Sequence, residues 1–368
     1  MPSTSGWETR KQDERVARNT DQAEFAAIIH NSSNLETGTF DDRIAGVLDD
    51  YEVVHPLGIS RWADDDHILD NATSEIGIEV RRRKNVLGDA YPFRVSGNRL
   101  IYRASSTLAY EFCLAVCESP SLTEGRYKVL PRAFERLARD VLVCFLGPGA
   151  KGQRTGWPPD RDRPKRFKDL IQKLNRLTGE WVWSPDPGLP NDPNDPNDQG
   201  LDVVVWKEVS DGRAGKLFLL GQCACGDNYT SKLHELDANF TRLRKWLGTM
   251  CWAWPTRVFC TPRHIPNDAD FQQINREAGL TFDRIRITLL AEGDESREYI
   301  REQARKPYAD LIRLVIPGFE VGQRAPSRRP RKAEAERRSQ SHGNAASRSK
   351  RRKRPDRKTP AKRHTRGS

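Results

Sequence analysis

The stretch LDVVVWKEVSDGRAGKLFLLGQCACGDNYTSKL, residues 201–233, decides how the rest of the chain is read. Residues 201–205 and 217–222 are apolar runs with β-rich composition, and SDGRAG between them carries two glycines, so the pair reads as two strands joined by a turn. Side chains alternate along a strand. Asp202, Val204 and Trp206 therefore fall on one face of the first strand, and Phe218, Leu220, Gln222 and Ala224 on one face of the second. Asp202 and Gln222 are the polar residues at the strand ends away from the turn, and their spacing from the turn sets them opposite one another. Two oxygen donors at one end of a sheet suit a hard divalent cation, Mg²⁺ or Mn²⁺, which takes a few protein oxygens and fills its shell with water and substrate phosphate.

Outward from this pair the chain alternates helix and strand. LPRAFERLARDVLVCFLG places Phe134, Leu137, Ala138, Val141, Leu142 and Phe145 at three- and four-residue steps, with Pro131 suited to a first turn and Gly147 to a stop. FKDLIQKLNRLTG is a second amphipathic helix and EWVW a short strand. SPDPGLPNDPNDPND follows, a proline-punctuated loop in which helix is forbidden, with the character of a tolerated insertion. Beyond residue 226, YTSKLHELDANFTRLRKWLG is predicted as a helix, PTRVFCTP a strand, DADFQQINREAG a helix, FDRIRITLLA a strand, and DESREYIREQARKPYADLIRLV one or two helices. Three consecutive strands, of which EWVW is the first, are expected to be antiparallel neighbours, with later strands joined by crossover helices.

The remaining regions divide by composition. Residues 1–40 read as a flexible arm holding one helix. Residues 41–125 form an α/β region of unknown role, with helical spacing in DDRIAGVLDDYEVV, a hairpin in YPFRVSGNRLIYRA and a helix in LAYEFCLAVCES. Residues 126–320 hold the α/β core. Residues 321–368 contain 18 Lys or Arg against 3 Asp or Glu, a net of +15, whereas the whole chain is +11, so the first 320 residues carry −4. That tail is too polar to fold alone, is read as disordered, and is drawn to nucleic acid without sequence preference.

Seven cysteines at irregular spacing make no disulfide framework, and Cys223 and Cys225 lack a partner pair at the spacing a zinc site needs. No apolar run resembles a signal peptide or reaches membrane-spanning length. A reducing, cytoplasmic setting with no membrane partner is the expectation.

The helix containing FERLARDVL, the Asp-led strand GLDVVVW and the strand ending LLGQCACG together resemble the PD-(D/E)xK, or restriction-endonuclease-like, nuclease superfamily. The resemblance implies an αβββαβ core over about residues 130–262 and a Mg²⁺- or Mn²⁺-dependent hydrolysis of DNA phosphodiesters, in settings such as defence or repair. Carried over by motif, Asp202 matches the metal-binding Asp, Gln222 the Gln variant of the third-strand ligand and Glu135 the helical acid. The position of the family's lysine is Ala224, which has no charge to orient water, and Lys232 is the nearest replacement. Cations that would track a phosphate backbone are Arg154, Arg161, Arg163, Lys165 and Arg166 in the loop after the first helix, and Arg351, Arg352, Lys353 and Arg354 in the tail. The expected partner is DNA, with RNA as the alternative, together with a second copy of the chain or a partner protein of a defence system. The contrasting expectation is a nuclease-type fold that binds nucleic acid and, with Ala224, has lost the chemistry. Each candidate ligand also has a plain reading: a strand-capping or turn carboxylate for Asp202, a satisfied strand-end amide for Gln222, a solvated helix residue for Glu135.

Overall fold

Val203, Val204, Val205 and Trp206 leave no residue for a solvent face, so the strand they form has to be covered on both sides. The computed structural model, which describes residues 4–30, 32–34, 61–96, 99–159, 163–187, 189 and 197–321, shows all four buried. Its elements in chain order are α1 (Thr4–His30), β1 (Ser32–Asn34), α2 (Arg61–Leu87), β2 (Phe93–Ser96), β3 (Arg99–Tyr102), α3 (Ala109–Cys117), α4 (Val129–Leu146) and β4 (Lys151–Arg154). There follow α5 (Phe167–Thr178), β5 (Trp181–Trp183), β6 (Val203–Lys207), β7 (Leu217–Cys223), α6 (Thr241–Arg244), β8 (Leu247–Met250), β9 (Thr256–Cys260), α7 (Asp268–Ala278), β10 (Leu280–Phe282), α8 (Arg284–Ala291) and α9 (Asp294–Val315).

The main sheet runs β10-β9-β7-β6-β4. Strands β4, β6 and β7 form an antiparallel meander, and β9 and β10 continue the sheet parallel to β7. On one face Val203, Val205 and Leu219 pack with Phe134, Leu137, Ala138 and Val141 of α4. On the other, Val204, Trp206, Phe218 and Leu220 pack with Leu170, Ile171 and Leu174 of α5 and with Leu236, Phe240, Leu243 and Leu247. The fold is mixed α/β, as expected, and the hairpin between β2 and β3 and the helices α3, α4, α5, α7 and α9 lie where periodicity places them.

Four expectations are corrected. The first strand of the meander is β4, not EWVW. Residues 151–154 are polar, Lys-Gly-Gln-Arg, because β4 is an edge strand, so hydropathy hides it. Trp181–Trp183 pairs instead with β8 in a separate two-stranded sheet. Residues 229–247 do not make one helix, since the Asp237 carboxylate accepts the N–H groups of Asn239 and Thr241 and Phe240 adopts φ 53°, which restricts helix to α6. The apolar spacing there tracked burial, not helix. FDRIRITLLA is mostly the helix α8, because Asp283 accepts the Arg286 N–H as an N-cap.

The fourth concerns the N terminus. Helix α1 is docked on the body through its buried acids. Arg83 of α2 reaches Asp21 at 2.7 Å and Glu24 at 3.0 Å, and Arg284 of α8 meets Asp21 at 2.7 Å. The Tyr110 hydroxyl donates to Glu24 at 2.7 Å. The described part of residues 1–40 is thus fixed by ion pairs and is not a free arm. Residues 41–54 and the basic tail lie outside the described residues. Among the described residues no helix is long and apolar enough to cross a membrane.

Candidate functional site

Asp202 lies one residue before β6, where the strand's alternation has not begun. Its carbonyl accepts the N–H groups of Thr155 (2.7 Å) and Gly156 (3.0 Å), and its own N–H donates to Gly221 (3.0 Å). This places it between the end of β4 and the end of β7. Its carboxylate accepts the Cys223 N–H at 2.7 Å through Oδ2. Glu135 comes to the same place from α4, where it sits next to the fully buried Phe134.

Gly156 is the point at which the two acids meet. A Cβ on this residue would overlap the Glu135 carboxylate and lie 2.9 Å from Asp202 Oδ1. No other residue type leaves that space open. Arg154, wholly buried, stands 2.6 Å from Glu135 Oε2 through Nε and donates to the Pro158 carbonyl. The site is therefore a buried acid pair with one arginine already engaged on Glu135.

Burial pushes the Asp202 carboxyl well above the ordinary carboxylate range, and the negative charges of Glu135 and Asp198 push it the same way. The Cys223 N–H and the positive charge of Lys232 act in the opposite direction without prevailing. Asp198 closes the proline-rich loop. Its carboxylate accepts the N–H groups of Trp157 (2.7 Å) and Gly200 (3.0 Å), so the end of the tandem repeat borders the acids.

The sequence-predicted residues separate at this point. Glu135 and Asp202 come together, and Lys232 is close enough to act on Asp202. Gln222 is buried and turns its amide nitrogen to the Lys232 carbonyl (2.6 Å) and to Glu235 (2.7 Å). It fastens the segment that carries Lys232. Ala224 is buried among Leu233, Phe259, Ile265, Ile274 and Ala278, so a lysine there would bury its charge in an apolar cluster. It is Cys223 and Cys225 that adjoin the α4 side, with thiols pushed far up by burial and, among further causes, by the charges of Glu135 and Asp202. The third-strand reading is thus displaced by one residue, because Asp202 precedes the regular part of β6.

Two of the loop cations are structural. Arg163 is buried and donates to the carbonyls of Thr155 (2.7 Å), Pro164 (2.9 Å), Lys165 (3.1 Å) and Asn197 (2.9 Å), and Arg154 serves Glu135. Neither is open to a phosphate backbone in this arrangement. Lys165 and Arg166 are exposed, the latter paired with Asp169 at 2.8 Å. Arg161, Arg351, Arg352, Lys353 and Arg354 lie outside the described residues. Sequence reasoning missed Gly156, Arg154 as a partner of Glu135, and Asp198. The short Arg-Thr-Gly run of 154–156 was the only signal, and it carries no motif.

The residues fit a divalent cation in part. Two converging carboxylates, one of them costly to ionise, suit a hard ion that relieves their repulsion. Among the described residues no three His, Cys, Asp or Glu side chains form a metal-ligand set. Glu135 and Asp202 are the donors available, which leaves most of an ion's shell to solvent and substrate.

Comparison with protein-family models gives no match, and comparison with curated proteins gives none either. Among solved structures the chain is similar to the MspJI restriction endonuclease in complex with a 27-mer oligonucleotide, with a TM-score of 0.29 and 13% identity. The match covers 61% of this chain and 37% of that one, so the chain spans little more than a third of that endonuclease's length. A likeness of that extent specifies neither the chemistry nor the substrate of this chain.

Proposed function

We propose that the chain is a divalent-metal-dependent phosphodiester hydrolase acting on DNA, with Glu135 and Asp202 as its acid pair. The observation that carries this reading is their convergence over Gly156, at the end of an antiparallel β4-β6-β7 meander that continues into a parallel strand. With α4 before these strands, this arrangement supports the αβββαβ reading that the sequence resemblance implies.

Mg²⁺ or Mn²⁺, held by Glu135 and Asp202, would supply Lewis acidity and offset charge on the scissile phosphate. The chain's own residues do the rest. Arg154 holds the Glu135 carboxylate in place, and Cys223 N–H does the same for Asp202. Lys232, set by Gln222, supplies the cation that Ala224 lacks.

A second reading, a nuclease-type fold that binds nucleic acid without cutting it, is favoured by Arg154, whose guanidinium already neutralises Glu135. Plasmid and linear DNA incubated with Mg²⁺ or Mn²⁺ separate the two. Cleavage by the wild type that Asp202→Ala abolishes, with DNA binding retained, supports the hydrolase. Binding without cleavage in both proteins rejects it in favour of the second reading.

A further inference from the structure

Far from the acid pair, two tryptophans stand in solvent. Trp252 is 68% and Trp254 65% exposed, on a five-residue connection between β8 and β9. Single exposed aromatics are unremarkable, but here two stand two residues apart on one short loop. The loop is built to hold them there. Glu180, which is buried, takes the Trp252 N–H on Oε2 (3.0 Å), and its backbone carbonyl takes the Cys251 N–H (3.0 Å). Its Oε1 is fixed by the N–H groups of Gly215 (2.9 Å) and Lys216 (3.1 Å), in the turn that joins β6 to β7. This is the sheet end opposite Asp202. Cys251 holds φ 64°, a strained left-handed conformation for a residue with a side chain, immediately before Trp252.

The adjoining turn is cationic. The Trp254 ring lies 5.7 Å from that of Phe240, which opens the turn of α6. The next residues include Arg242, Arg244 and Lys245, all exposed. Asp237, the acid nearest in sequence, is occupied by the N–H groups of Asn239 and Thr241. The exposed residues next to the rings in sequence are Thr241, Ala253 and Thr256 besides these cations, so the surroundings are polar and cationic, with Leu217 as the exposed apolar residue on the adjoining strand.

We propose that Trp252 and Trp254 form a stacking platform for unpaired bases, with Arg242, Arg244 and Lys245 meeting the phosphates of the same single strand. Rigid aromatic rings beside cations are what sequence-tolerant binding of single-stranded nucleic acid requires. The platform does not depend on the acid pair being catalytic.

The test uses the full chain in EDTA with a labelled single-stranded oligonucleotide of about 20 nucleotides, its abasic counterpart, and the matching duplex, in about 0.3 M salt to weaken the contribution of the tail. Trp252→Ala and Trp252→Ala/Trp254→Ala are expected to lose about tenfold or more in affinity for the single strand. Their affinity for the abasic strand should be unchanged, Trp252→Phe should retain most of the binding, and circular dichroism should match wild type. Equal losses on the base-containing and abasic strands, or no loss on either, would overturn the proposal. So would binding to phosphatidylserine vesicles that depends on the tryptophans while single-strand binding does not.

Discussion

The Arg154 guanidinium sits 2.6 Å from the Glu135 carboxylate, and the arginine side chain is entirely out of water. Breaking such a pair leaves one buried charge unpaired, which costs about 3–5 kcal/mol. Arg154→Met should therefore be strongly destabilised in urea unfolding. The double variant Arg154→Met/Glu135→Gln, which leaves no charge behind, should recover at least half of that loss. Equal instability of the single and double variants would show that the arginine's role is packing alone.

Gly156→Ala tests the convergence itself. The added methyl group would collide with the Glu135 carboxylate and press on Asp202 Oδ1 at 2.9 Å. Forcing a methyl group into a filled site costs about 1–3 kcal/mol. The melting temperature should fall by several degrees, and divalent-cation binding measured by calorimetry should weaken with it. An alanine variant with wild-type stability and cation binding would mean that the acids do not meet at this point.

What the sequence disclosed follows a physical divide. Buried runs such as 203–206 and the α4 face around Phe134 and Leu137 announce themselves, because both faces or one stripe must be apolar. That was enough to find β6, β7 and α4, and through them Asp202 and Glu135. The edge strand β4 has no such stripe and stayed hidden, and with it the role of Arg154 and Gly156. Gln222 lies one residue beyond the Val203–Gly221 pair, and its amide is directed at Lys232 and Glu235, a choice of rotamer that no spacing encodes. Periodicity misled in both directions, since Asp237 takes backbone N–H groups before α6 and breaks a helical run, whereas Asp283 caps α8 and starts a helix within a β-rich run.

The N-terminal helix should be required for folding. Asp21 bridges Arg83 and Arg284 at 2.7 Å each, tying α1 to α2 and α8. Burial works to raise the Asp21 carboxyl, but the two arginines overcome it and hold the group far below its usual range. Asp21→Asn should destabilise, though by less than the ~3–5 kcal/mol of a wholly unpaired buried charge, since Arg83 keeps Glu24 and Glu79 and Arg284 keeps Glu24. A carboxylate with a depressed pKa contributes stability that is present above its unfolded value and lost as pH falls toward the native one. Wild type should accordingly lose stability in acid more steeply than Asp21→Asn, in parallel urea titrations. Identical acid limbs would show that Asp21 is not ionised in the native state.

Asp202 should give the opposite pH dependence. Burial and the charges of Glu135 and Asp198 raise its pKa well above 3.8, so across the interval between the two values the native chain holds a proton that the unfolded chain has released. Stability contributed by the protonated group is complete below the unfolded pKa and declines as pH rises through the native one. Without divalent cation, wild type should lose up to ~1.4 kcal/mol per pH unit in that interval relative to Asp202→Asn. Urea midpoints measured from about pH 4 to about pH 8 provide the comparison. Millimolar Mg²⁺ should flatten the wild-type slope, because an ion between Glu135 and Asp202 replaces the proton as the source of neutralisation, and it should leave Asp202→Asn nearly unaffected. A slope that Mg²⁺ leaves unchanged would count against the cation, and the absence of any difference between the two proteins would count against the raised pKa itself.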